Sequence, residues 1–191
     1  MGQTIVIQFV TLDGVVEDPD GSDGTPYGGW AMRHGPAAIG GDKFRLGPLM
    51  RTATLLFGHR TWAHFSTLWP PRTDDFSTAM NAARKAVLSR TEVDTAAWSS
   101  TTQVSGTLDE WLDHELAERD VVLIGSTGVA HHLLAAGRVY QLRLLTFPIA
   151  LGQGRRLFVQ PLALTQVSVE ATPFTTLTVL EPDAQPSGNR G

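Results

Sequence analysis

Three apolar runs in this chain end in the same way. ATLLFG (53–58) runs into His59-Arg60-Thr61, KAVLS (85–89) into Arg90-Thr91, and DVVLIG (120–125) into Ser126-Thr127-Gly128. Short continuous apolar runs stopped by small residues read as strands buried on both faces. Two of them pass straight into helical spacing: Trp62, Phe65 and Ser66 share a face after the first, and 128–136 forms a helix after the last. Few architectures accept strand followed by helix, repeated, because the helix that returns the chain to a parallel neighbour must cover a sheet face.

The remaining segments extend this pattern. TIVIQFV (4–10) is a strand closed by Asp13-Gly14, residues 42–50 hold a short helix that Gly47-Pro48 must cut or kink, and a helix starts at Asp74 or Asp75. Leu108, Trp111, Leu112 and Leu116 space a helix over 108–118, VYQLRLLTFPI (139–149) is a long strand, and a strand pair near 165–171 and 174–180 follows. The expected fold is α/β, a mixed, mostly parallel sheet with helices on both faces and an antiparallel C-terminal hairpin. One domain over 1–181 suits the length, and 182–191 (PDAQPSGNRG) has nothing to bury and reads as a flexible tail. Residues 17–41, rich in Gly, Pro and Asp, are too long and too weakly periodic for an ordinary connection and are expected to form a lid.

Composition removes several classes of function. A net charge of −4, without clustered Lys and Arg, argues against nucleic acid as a partner. The chain has no cysteine, so disulfides and thiolate metal sites are impossible, and a reducing cytoplasm suits it. No apolar run approaches the roughly 18 residues of a membrane span, and no basic, then apolar, leader opens the chain. His131-His132 would point in different directions on a helix, and no metal site is expected.

The three strand exits carry the chemistry. In open α/β sheets, ligands gather beyond the carboxyl ends of strands, where helix N-termini expose unpaired N–H groups and a positive dipole end. Glycine lets a phosphate approach the backbone, Ser and Thr hydroxyls donate to it, and Arg60 and Arg90 can add charge-assisted bonds. Taken singly, Gly125 to Gly128 is as well read as a tight turn with a helix cap, and Arg60 as a solvated charge. Three coincident exits favour the ligand. The stretch is no Walker loop, since no Lys-Ser or Lys-Thr closes it, and GSTGVA does not fit G-x-G-x-x-G.

Taken in order, TLDG, FGHRTW, KAVLS, VVLIGSTGVAHHLL and LRLLTFPIALGQGRRLF resemble the dihydrofolate reductase-like superfamily, and within it the branch of the C-terminal reductase domain of the riboflavin-biosynthesis enzyme RibD. The resemblance implies the three-layer fold of that superfamily and an NADPH-dependent oxidoreductase. Its hydride would go to a small heterocyclic or ribosylaminopyrimidine-like substrate, as in 5-amino-6-(5-phosphoribosylamino)uracil reduction. Carried onto this chain, it implies that Gly58, His59, Arg60 and Thr61 hold the pyrophosphate and adenosine phosphate. Leu88, Ser89 and Arg90 would border the adenine ribose, an arginine there favouring NADPH over NADH. Gly125, Ser126, Thr127, Gly128 and Val129 would cradle the pyrophosphate, with Ile124 and Val16 near the nicotinamide.

Counting back from Gly58, Asp42 falls where dihydrofolate reductases carry the carboxylate that helps protonate the pterin. An acid beside an apolar ring pocket has a raised pKa and can relay a proton, but after Gly40-Gly41 the same residue is an equally good helix N-cap. Asp13 would overlook the nicotinamide as a substrate contact, although local turn chemistry accounts for Asp13-Gly14. Trp30, in the expected lid, is the aromatic placed over the ligand. A homodimer is expected, partly by resemblance and partly because the strand 139–149 is long, hydrophobic and in need of cover. The stretch 68–85 is longer than in folate-reducing enzymes, and the arginine that grips the folate tail has no clear counterpart, Arg72 and Arg84 being near only in sequence. The deaminase half of RibD is absent, its His/Cys zinc ligands being impossible without cysteine. The alternatives are a dihydrofolate reductase, a non-catalytic NADP-binding protein, and a scaffold that binds no dinucleotide.

Overall fold

The structure, a computed structural model, describes residues 1–183. Alternation makes β1 (Thr4–Thr11) two-faced, with Ile5 and Ile7 entering one apolar layer and Val6 and Val10 the other. The same split recurs in β2 (Thr54–Gly58), where Leu55 and Phe57 oppose Leu56. Together with β3 (Arg84–Leu88), β4 (Thr101–Gln103), β5 (Val121–Ile124), β6 (Gln141–Phe147), β7 (Leu164–Ala171) and β8 (Thr176–Pro182), these strands form one sheet in the order β4-β3-β2-β5-β1-β6-β8-β7. Every pair from β4 to β6 is parallel, and β8 joins β6 and β7 antiparallel.

Six α-helices accompany the sheet among the described residues: α1 (Pro36–Ile39), α2 (Leu49–Thr52), α3 (His59–Leu68), α4 (Asp75–Ala82), α5 (Leu108–Glu118) and α6 (Thr127–Ala135). On one face Leu108 and Leu112 of α5 and Ala130 and Leu133 of α6 pack on Val6, Leu56 and Leu123. On the other, Met50, Trp62 and Met80 from α2, α3 and α4 pack on Ile5, Leu55, Phe57 and Val87. Each such fully buried side chain contributes roughly 1.5–3 kcal/mol, which fixes the strand faces and hence where the exits point. Local signals agree with the packing. Asp74 caps α4 by accepting the Ser77 amide at 3.0 Å, and Thr107 with Glu110 forms a capping box at the start of α5.

Several expectations need correction. The helix expected over 42–50 shrinks to Leu49–Thr52, because Pro48 has no N–H to give and Asp42 spends both carboxylate oxygens on a turn, accepting the Leu46 and Gly47 amides at 2.7 Å each. Asp42 is therefore not the N-cap of a helix. Strand 139–149 is shorter, and it is no edge: β6 lies between β1 and β8, which supply its cover, while the edges of the sheet are β4 and β7. β8 continues to Pro182, and the Asp183 amide bonds the Ala163 carbonyl at 3.0 Å, so residues 182 and 183 belong to the hairpin. The rest of the expected tail, 184–191, lies outside the described residues.

One buried group has a measurable signature. Lys85 is fully buried on β3, and its Nζ donates to the carbonyls of Met80 (3.2 Å), Asn81 (2.8 Å) and Ala83 (2.6 Å), which α4 leaves unpaired at its C-terminus. The ammonium also stands 4.7 Å above the Trp98 ring. Burial pushes it down to about 8. The unfolded chain keeps this proton to about pH 10.4, so between the two values the unfolded state binds more protons and stability rises with pH. Urea titrations should show the parent gaining about 2–3 kcal/mol relative to Lys85→Met between pH 7.5 and 10.5. A constant difference would mean that Lys85 keeps its ordinary pKa and stays charged in the fold across this range.

Candidate functional site

The exits of β2 and β5 are neighbours in the sheet, and one side chain ties them together. Ser126, the N-cap of α6, adopts a left-handed φ of 53° that turns its hydroxyl back toward β2. The hydroxyl accepts the Gly58 amide at 2.7 Å and donates to Thr61 Oγ1 at 3.0 Å. The glycines around it are required by space. A Cβ on Gly58 would stand 3.2 Å from Ser126 Oγ, and Gly125 combines a φ of +61° with a would-be Cβ only 3.3 Å from the Thr61 methyl. Val129, buried, closes the same corner beside Gly58.

Two helix N-termini result, side by side, with no side chain capping either. In α6 the Val129 and Ala130 amides both return to the Ser126 carbonyl, at 2.9 and 3.0 Å. The Thr127 and Gly128 amides have no partner among the described residues, and nothing lies within 4 Å of where a Gly128 Cβ would be. In α3 the amides of His59, Arg60 and Thr61 are the first-turn donors that no helix can satisfy internally. His59 and Arg60 are exposed, and Ile124 is buried beneath the turn.

The β1 exit forms the opposite wall. Asp13 accepts the Thr11 hydroxyl (2.6 Å) and the amides of Leu151 (3.2 Å) and Gly152 (2.7 Å). The Thr11 hydroxyl and then the Gly152 amide hold its carboxyl down to about 2, so it stays ionised and anchors the 150s loop. Val16 is buried, and its amide bonds the Arg155 carbonyl at 2.9 Å. His131 of α6 donates to the Arg156 carbonyl at 2.9 Å, joining this wall to the helix that follows β5.

The segment expected to be a lid is built around Asp18, which is 3% exposed with a φ of 51°. Its carboxylate accepts the Asp23 amide (2.9 Å), the Thr25 amide (2.8 Å) and the Thr25 hydroxyl (2.7 Å). Burial would raise this acid, but those bonds outweigh it and hold the carboxyl below its ordinary range. The outer side of the loop reaches α3 through Asp20 to His64 at 2.8 Å and Asp23 to Arg60 at 3.7 Å.

Trp30 sits differently from the expectation. It is 1% exposed, its Nε1 donates to the Glu17 carbonyl at 2.8 Å, and its ring meets Phe147 edge-on at 5.3 Å. It fills a third apolar cluster with Ala38, Leu145 and Leu177 under the loop rather than facing a ligand, because a buried indole needs both apolar walls and one acceptor. Asp42 also lies away from the strand exits, its partners being its own turn and Arg45. Arg72 stacks near the Trp69 ring at 5.2 Å.

Sequence reasoning missed two glutamines. Gln8, 4% exposed inside β1, donates to the Gly125 carbonyl and braces the turn between β5 and α6. A lone amide inside TIVIQFVT was the available signal. Gln103 ends β4 and holds the turn that carries Ser89, Arg90 and Thr91. No group of three His, Asp or Glu is placed to hold a metal ion, and no helix is long and apolar enough to cross a membrane, among the described residues.

Comparisons with known proteins bear on the fold and the family. Among solved structures, a candidate riboflavin biosynthesis protein from Shewanella sp. PV-4 superposes with a TM-score of 0.72 at 20% identity, over 95% of this chain and 99% of that one, which shows the shared fold. The search of curated proteins gave no match. The profile of the RibD C-terminal domain matches residues 4–178, from the first residue of β1 into β8, and the chain belongs to the RibD C-terminal domain family.

Proposed function

We propose that this chain is an NADPH-dependent reductase that binds the dinucleotide across the carboxyl edge of its sheet and reduces a small heterocyclic or ribosylaminopyrimidine-like substrate. The observation that carries the reading is the pair of uncapped helix N-termini locked together through Ser126. Aligned amides at two dipole ends suit a pyrophosphate, and open space in front of Gly128 lets one approach. The residues present therefore fit the cofactor, whose nicotinamide would supply the hydride.

The chain's own part is to bind, orient and keep water out. Amides of residues 59–61 and 127–128 would take the anionic bridge, with Arg60 exchanging Asp23 for phosphate and Arg90 serving the adenosine end. Asp13 fixes the wall beside the nicotinamide as an ionised anchor, which makes it a poor proton donor. Asp42, with both oxygens accepting amides, gains no support as the proton relay. We assign the expected homodimer to the β7 edge, where Val167 and Val169 are about half exposed and an unpaired strand invites a second copy. A reducing cytoplasm suits the cysteine-free sequence.

Titration calorimetry tests the central claim. NADPH should bind with measurable heat and more tightly than NADH, and bound ligand should raise the melting temperature. Absence of heat from both at millimolar concentration would overturn the reading.

A further inference from the structure

β3 ends at Leu88, and the chain must turn through residues 89–94 on its way to β4. That turn carries Ser89 and Arg90, yet little inside it holds its shape. Its internal support comes from Ser89 Oγ, which accepts the Thr91 amide at 3.2 Å and lies 3.3 Å from the Thr91 hydroxyl. The rest comes from the far side of the loop. Gln103, the last residue of β4, accepts the Val93 amide on Oε1 at 3.0 Å, and its Nε2 donates to the Thr91 carbonyl at 2.8 Å and the Ser89 carbonyl at 3.5 Å. Both ends of one carboxamide are thus engaged by the same turn. Reversed, the amide would set N–H against N–H and oxygen against two carbonyls, so only one orientation fits.

Strand pairing makes the clamp rigid. β4 is parallel to β3 with Val87 opposite Gln103, so the carboxamide springs from the register position level with the β3 exit. Arg90, held at the apex of the clamped turn, is exposed and takes part in no ion pair among the described residues. Glu92, two positions on, is exposed as well. A turn free to slip would offer an incoming phosphate this carboxylate as readily as the guanidinium, and the two have opposite effects on binding.

We propose that Gln103 is the positioning residue for dinucleotide selectivity: by clamping residues 89–93 it presents Arg90, and not Glu92, to the 2′-phosphate of the cofactor. This inference rests on the dinucleotide reading above, which it refines. Gln103 touches no ligand itself and acts through the backbone that bears Arg90.

The test compares the parent, Gln103→Leu, Gln103→Glu, Arg90→Gln and the Arg90→Gln/Gln103→Leu double variant, with NADPH, NADH and 2′,5′-ADP as probes. Gln103→Leu should weaken NADPH and 2′,5′-ADP by about tenfold and leave NADH within about twofold, since only the charge-assisted contact is lost. Gln103→Glu keeps the acceptor for Val93 and loses both donors; it should shift selectivity in the same direction and carries the test if the leucine variant melts early. In the Arg90→Gln background Gln103→Leu should cost nothing further, the non-additivity expected of a residue that acts through another. Equal weakening of NADPH and NADH, an unchanged ratio, or additive losses in the double variant would overturn the proposal. A parent that binds NADPH and NADH equally well removes the selectivity while sparing the cofactor site, whereas a parent that binds neither removes the dinucleotide reading as a whole.

Discussion

Gly128→Asp should bind NADPH about a hundredfold more weakly than the parent and yet melt no lower, because a carboxylate in the first turn of α6 repels a phosphate and favours the helix. The two effects have opposite signs, which makes the variant informative. Nothing lies within 4 Å of a Gly128 Cβ, and its φ is not in the left-handed range, so the fold accepts the side chain without strain. Replacing glycine in a helix and adding a negative charge at its N-terminus together stabilise by about 0.5–1 kcal/mol. Gly128→Ala is the control for bulk alone and should lie between the two. Binding of NADPH by Gly128→Asp at parental affinity would remove the pyrophosphate from this turn. Chemical denaturation run beside the binding assay would reveal a loss caused by misfolding instead.

Trp30→Ala should cost about 3–5 kcal/mol of stability, the largest effect of any single truncation near the candidate site. The indole is buried, edge-on to Phe147, and bonded to the Glu17 carbonyl, so its removal opens a cavity and frees the start of the 17–29 segment. Trp30→Phe keeps most of the packing and loses the N–H donor, which amounts to about 1 kcal/mol. Because the ring lies under the loop, the phenylalanine variant should keep parental turnover and substrate affinity. A large rise in KM with unchanged melting would instead place Trp30 against the substrate.

The parts of this fold that could be read from the sequence are those where one residue type has one physical job. Apolar runs that must be buried on both faces revealed β2, β3 and β5, and Asp74 marked a helix start through the donor it satisfies. β4 was invisible, because three polar residues, Thr101–Gln103, carry no periodicity and are recruited by their neighbour β3. Asp42 illustrates the limit on the site side. Its identity and position suited either a proton relay or a helix cap, and whether its oxygens were free depended on the turn imposed by Gly47-Pro48. Trp30 was misplaced for a related reason: a tryptophan in a polar loop reads as exposed until Leu145, Phe147 and Leu177, far along the chain, close over it. Gln8 and Gln103 act through partners ten or more residues away in sequence, distances over which single-chain patterns carry no information.

The tie from Gly58 to Ser126 spans 68 residues of chain and is made by the chain's own atoms alone. A socket assembled in advance would lose little conformational freedom on being filled, so under the proposed function its hold on a dinucleotide would owe more to shape than to adaptation. Such a receptor discriminates sharply between guests of different size, and it gives up the tolerance that a pliable one would have.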